Sequence, residues 1–180
     1  CIMKYLLIGI VGLLLTGCAM TYYDVYENPY NRKGNKIKCD SCMNNGMVQY
    51  FPYEYLMKEV KEKVAAQMMS DSEAQIEYSK VPEGGELILN PWGFTLAYAD
   101  PENSIFIIKD STGTKEYLRQ KGNSFTPRVS VVYGITQWTG TDIIFFRDKS
   151  KMPPFPFIVY MVSTIDNKRS KFKVYNVPFK

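Results

Sequence analysis

At Pro82-Glu83-Gly84-Gly85 the hydrophobic period of the chain changes, and this break does most to decide its fold class. Before it, Leu56, Val60, Val64 and Met68 recur every fourth residue, and Met57 and Ala65 widen the stripe. That is the spacing of one face of an α-helix. Glu54, Lys58, Glu59, Lys61, Glu62 and Lys63 fill the opposite face. Glu54/Lys58 and Glu59/Lys63 stand in the acid-first i,i+4 order that supports a helix. The spacing predicts an amphipathic helix from Pro52 to about Met69. Ser70-Asp71-Ser72-Glu73 then supplies a break and a fresh N-cap, opening a short second helix to about Tyr78.

After the break the period is that of strands. The expected strands are Glu86 to Leu89, Phe94 to Tyr98, Ser104 to Lys109, Arg128 to Trp138, Asp142 to Phe146, Phe157 to Ile165 and Lys171 to Val177. Asp100-Pro101-Glu102-Asn103, Asp110-Ser111-Thr112-Gly113, Thr139-Gly140-Thr141 and Asp166-Asn167-Lys168 read as reverse turns, and such short links favour antiparallel neighbours. A helix followed by about seven strands predicts an α+β domain. Its N-terminal amphipathic helix is expected to pack on a mainly antiparallel sheet or a small β-sandwich. The domain is expected to span 51–180, enough chain for one core without a metal.

The N-terminus reads as an address. Met3-Lys4 is followed by eleven mostly apolar residues, Tyr5 to Leu15, and then by small residues before Cys18. A charged start, a short apolar run and a small-residue cut site are the parts of a secretory signal. As a helix, the run covers roughly half of a ~30 Å hydrocarbon core, too little for a stable span. Leu15-Thr16-Gly17-Cys18 resembles the lipobox of bacterial lipoproteins. The resemblance implies a signal peptide over 1–17, with Cys1 and Ile2 as extra residues before the natural start. It also implies that Cys18 becomes the first mature residue and carries a covalent diacylglycerol and an acyl chain. Two or more chains hold a protein stably at a membrane, at about 0.8 kcal/mol per buried CH₂. Ala19 stands where retention at the inner membrane typically shows Asp. The same analogy therefore places the protein at the periplasmic face of the outer membrane, with the inner membrane and the cell surface as the other addresses.

Residues 18–50 read as a lipidated tether, polar and Asn-rich, with Pro29, Gly34 and Gly46 and no sustained period. Arg32, Lys33, Lys36 and Lys38 form a basic cluster in it that can touch anionic headgroups; the plainer reading is a solvated linker. Cys39-Asp40-Ser41-Cys42 is a C-x-x-C in an oxidising compartment. Haem attachment fails, because Met43 stands where a histidine is required and the chain has no histidine at all. Zinc would need a second pair of ligands that the sequence does not supply. A local disulfide, which pins a loop for about 2 kcal/mol, is the simplest reading; thiol-redox chemistry is the alternative.

The absence of histidine among 180 residues removes every mechanism that needs an imidazole. No GxSxG, P-loop, HExxH or EF-hand loop is present. Ser79-Lys80, Ser150-Lys151 and Ser170-Lys171 are adjacent pairs, and on a strand neighbours point to opposite faces. Asp100/Glu102 and Glu83/Glu86 offer carboxylate pairs without a motif around them. No catalytic residue and no metal ligand is assigned, and no cofactor is expected beyond the lipid on Cys18.

Charge is unevenly spread. Residues 53–116 carry twelve acids and six bases, whereas residues 147–180 carry eight bases and two acids. In the last strand, Lys171, Lys173 and Tyr175 alternate with Phe172 and Val174, so the charges share one face. Lysines on a terminal strand commonly protect a sheet edge, and that reading comes before a binding patch. Trp92, in Pro91-Trp92-Gly93-Phe94, and Phe155, in the Pro-rich run 153–157, join Lys171 and Lys173 as a candidate docking surface. The expected role is a non-enzymatic envelope lipoprotein that scaffolds or binds an envelope protein, with the membrane as its second partner and nucleic acid excluded by the address. The alternative is a ligand-binding or cell-wall-acting enzyme lipoprotein that uses carboxylates; the thiol-redox lipoprotein is the third reading.

Overall fold

The computed structural model describes residues 37–39, 46–132 and 135–175, and in them the break at Pro82 separates helices from sheets. In chain order the elements begin with β1 (Ile37–Cys39), β2 (Met47–Phe51), α1 (Tyr53–Ala66) and α2 (Asp71–Ser79). Then come β3 (Glu86–Asn90), β4 (Trp92–Gly93), α3 (Leu96–Ala99), β5 (Ser104–Lys109) and β6 (Glu116–Lys121). The chain continues with β7 (Arg128–Val132), β8 (Ile135–Thr139), β9 (Asp142–Phe145), β10 (Phe157–Ser163) and β11 (Arg169–Val174). Among the described residues there is one five-stranded sheet, in the order β1-β11-β10-β5-β6, and two of three strands, β2-β3-β9 and β4-β8-β7. Every pairing is antiparallel. The fold class is α+β, as the change of period predicts.

Alternation along the strands builds the core. On β10, Phe157, Val159 and Met161 turn to one face, where their register partners are Val174, Phe172 and Ser170 on β11. On β5, Ile108 and Phe106 face Val159 and Met161. Val48, Tyr50, Leu87, Leu89, Ile144 and Phe146 meet this face from the β2-β3-β9 side and complete a single buried cluster. The two sheets therefore form a small β-sandwich. Burying each large side chain of this kind stabilises the fold by about 1.5–3 kcal/mol before entropy is counted.

The Pro82–Gly85 turn is locked into that core. The Tyr50 hydroxyl donates to the Gly84 carbonyl at 2.7 Å. Gly85 has φ +81°, and a Cβ there would lie 2.4 Å from the Phe51 carbonyl oxygen. Only glycine satisfies both conditions.

The two helices stand where the spacing places them, and Ser70 caps α2 in a reciprocal capping box with Glu73. Leu56, Met57, Val60 and Val64 of α1 are half-buried, and no residue of α1 is fully buried. The ion pairs differ from the expected ones. Lys58 reaches Glu62 at 3.6 Å, and Lys63 crosses to Glu77 of α2 at 2.6 Å, where Lys80 also binds.

Other differences have local causes. The expected strand Phe94 to Tyr98 is a bend followed by α3, because alternating Phe94, Leu96 and Tyr98 imitate a strand over too short a run. Arg128 to Trp138 splits into the β7–β8 pair. The charged segment Glu116–Lys121 is a strand on the sheet margin with Leu118 on the core side. Ile37–Cys39, inside the stretch that reads as a tether, and Met47–Phe51, which overlaps its end, are strands of two different sheets. Since β1 pairs with β11, the last strand is not an edge over Phe172–Val174, and the edge-protection reading of Lys173 does not hold.

Candidate functional site

Cys18 and Cys42 lie outside the described residues, and Cys39 is described as a backbone position opposite Phe172. Neither the lipid attachment nor the C-x-x-C chemistry is therefore tested by the geometry. Among the described residues, no group of three or more His, Cys, Asp or Glu is placed to hold a metal ion, and no helix is long and apolar enough to cross a membrane.

Of the carboxylates considered for hydrolysis, Asp100 and Glu102 have structural partners. Asp100 accepts from the Glu102 and Phe125 amides at 3.0 and 3.3 Å, and Glu102 pairs with Lys121 at 3.3 Å. Glu83 is exposed, whereas half-buried Glu86 has its pKa raised by desolvation. Buried Asp142 accepts from both the backbone and the side-chain nitrogen of Asn123, each at 3.0 Å, and from the Ile143 amide at 2.8 Å. The Ser/Lys pairs are likewise committed or separated. Ser79 donates to the Ile76 carbonyl, Ser150 donates to Asp148, and Ser170 is buried on the core face while Lys171 stands on the other. Asp100, Ser79 and Ser150 thus serve in caps and turns.

The four candidate docking residues fall into three places. Phe155 packs on the core, with its ring 5.4 Å from Tyr50 and 5.2 Å from Phe157, so it is a packing residue. Trp92 is half-buried on β4, opposite Thr139 of β8. Lys171 and Lys173 share the outer face of the five-stranded sheet.

That outer face is laid out in three rows by the register. Lys173, Ile158, Lys109 and, across the bulge, Glu116 form one row; Lys171, Tyr160, Ile107 and Arg119 the next; Arg169, Val162, Ile105 and Lys121 the third. Cations stand at both ends of the second and third rows, whereas in the first Lys109 is followed by Glu116; Tyr160 and aliphatic side chains lie between. At ~4.8 Å between strands and ~7 Å between alternate residues, the face is roughly 14 Å on each side. Ile158 and Ile107 are buried although they point away from the core, so the apolar middle is covered while the charged ends reach water. The Arg169 guanidinium lies 5.0 Å from the Tyr160 ring, and the Lys173 ammonium lies 5.4 Å from the Tyr175 ring. The carboxylate at the bulged end, Glu116, is held by two 2.8 Å bonds from Arg119, which lower its pKa and raise that of Arg119.

A second group of exposed residues, next in sequence to the docking candidate Trp92, is apolar. On the β4-β8-β7 sheet, Val129 pairs with Trp138, which pairs with Gly93, and Phe94 follows directly. Phe94 is 75 % exposed, Val129 57 % and Leu96 50 %. The sequence signal was the aromatic Pro91-Trp92-Gly93-Phe94 turn, but the outward residue is Phe94 and not Trp92.

Comparison with known proteins finds no matching family model, no matching curated protein and no matching solved structure.

Proposed function

We propose that this chain is a non-enzymatic lipoprotein of the bacterial envelope, anchored through Cys18 at the periplasmic face of the outer membrane, whose α+β domain docks an envelope protein. The observation that carries the docking role is the exposure of Phe94, Val129 and Leu96 around the β4-β8-β7 sheet. Exposed apolar residues grouped beside half-buried tryptophans mark a surface that another protein covers, and aromatic residues make the strongest anchors in such interfaces. The lipobox resemblance supports the address, and the engagement of Asp100 in a turn and of Glu102 with Lys121 counts against that pair as hydrolytic acids.

Photo-crosslinking in intact cells tests it. A photoreactive residue at Phe94 or Val129 should trap one discrete envelope protein, whereas the same residue at exposed Lys61 on α1 should not. No adduct at either apolar position, or an identical ladder at all three, would refute the docking role.

A further inference from the structure

We infer that β7 is an open sheet edge on which a second copy of this chain pairs antiparallel, about a two-fold axis at Ser130. The inference rests on the docking reading of the β4-β8-β7 sheet and names the partner at one edge of it. Hydrogen-bond phase is the first observation. The Gly140 amide donates to the Pro91 carbonyl at 2.9 Å, so alternate residues, Gly140 and Trp138, turn their backbone groups towards β4. Thr139 and Gln137 then face β7 and bond Arg128 and Ser130, which directs the N–H and C=O of Val129 and Val131 off the sheet. The second observation is the make-up of the edge. A free edge invites pairing, and sheets blunt their edges with charge, cover or shortness. Among the described residues, β6 carries Glu116, Arg119 and Lys121, and β2 is buried from Val48 to Phe51. On β9, Asp142 takes the Ile143 amide, and β1 and β4 are three and two residues long. Strand β7 has five residues, Arg128 as its one charge, no proline and an unbroken register, and Val129 is 57 % exposed. The third observation is the fit of the strand to itself. With Ser130 opposite its own counterpart, each Val129 stands opposite a Val131, and the outward groups of each such pair exchange both hydrogen bonds. Arg128 meets Val132, so no like charges are opposed. Five residues a side make a small interface, so the association is weak and rises with concentration.

Cysteine trapping in cells that express the full chain tests it, with Cys39→Ser/Cys42→Ser as background and control. In this register Ser130 and its counterpart form a non-hydrogen-bonded pair with Cα atoms about 4.5 Å apart, within disulfide range, whereas the two copies of Arg128 stand roughly 14 Å apart. After mild oxidation, Ser130→Cys should give at least about tenfold more disulfide-linked homodimer than Arg128→Cys, while Arg128→Cys and Val132→Cys expressed together should link to each other. Val131→Pro removes an outward N–H without touching the pairing with β8, so in the Ser130→Cys chain it should abolish the dimer and leave the unfolding midpoint near that of its parent. A monomeric Ser130→Cys, or equal dimer from Ser130→Cys and Arg128→Cys, would overturn the inference. So would a photoreactive residue at Ser130 that traps only a different protein, which would assign the edge to that protein. The photoreactive residue at Phe94 reports the docking reading separately. An adduct there beside a monomeric Ser130→Cys would leave docking and remove the self-pairing; a Ser130→Cys dimer with no Phe94 adduct would refute the docking of a different protein while the paired edge stands.

Discussion

The Tyr50 hydroxyl and the Gly84 carbonyl meet at 2.7 Å across 34 residues of sequence, tying β2 to the turn where the chain changes from helix to sheet. Burial, and then the nearby Glu54 charge, raise the pKa of Tyr50, so the phenol stays protonated and donates. Tyr50→Phe leaves a buried carbonyl without its donor and is expected to cost about 1–2 kcal/mol. Gly85→Ala, which meets the Phe51 carbonyl at a positive φ, is expected to cost about 3 kcal/mol. Denaturant unfolding should show lower midpoints for both with an unchanged slope; equal stability of Gly85→Ala and wild type would contradict the packing described.

Glu77 joins the two helices. Hydrogen bonds from Lys63 and Lys80 lower its pKa to about 2 from an ordinary value of 4.5. Because the folded pKa is the lower one, the pairing is fully present above about pH 4.5 and is lost as the pH falls towards 2. Amide exchange in α2 should therefore accelerate relative to the sheets over that window, and Glu77→Gln should flatten the change. A protection ratio independent of pH in the wild type would contradict the assignment.

Ser70 is a separable contributor to the same hairpin. Ser70→Ala removes the hydroxyl that accepts from the Glu73 amide and is expected to destabilise α2 by about 1 kcal/mol, with Ser70→Gly costing only a few tenths. Helix-selective exchange or circular dichroism distinguishes the two.

Phe94 and Phe155 are predicted to behave oppositely. Phe155→Ala removes a ring packed on Tyr50 and Phe157 and should cost about 2–4 kcal/mol. Phe94→Ser alters a side chain that is 75 % exposed and should change stability by less than about 0.5 kcal/mol while reducing partner capture. Thermal unfolding and pull-down from the same preparations read both effects.

Most of the sandwich was legible because its core strands, such as Phe157–Ser163, are runs of β-branched, aromatic and other apolar residues bounded by turn residues. What escaped has less pattern to offer. Strand β6 keeps its place with Leu118 inside and charges elsewhere, and β1 is three residues of a polar stretch. Both pair through their backbones, which every residue type except proline can do in full. Leu96-Ala97-Tyr98-Ala99 alternates like a strand yet closes a helical turn before Pro101. The outward array of lysines on β11 was visible in the sequence, but its continuation across β10, β5 and β6 was not. Only the register reveals that Lys173, Ile158 and Lys109 share a row.

The most direct test of the account is metabolic labelling with palmitate of the wild type and of Cys18→Ser, followed by membrane fractionation. The account predicts a labelled wild-type band at the outer membrane and an unlabelled variant that fails to mature. An unlabelled wild type, with a variant that fractionates identically, would contradict it.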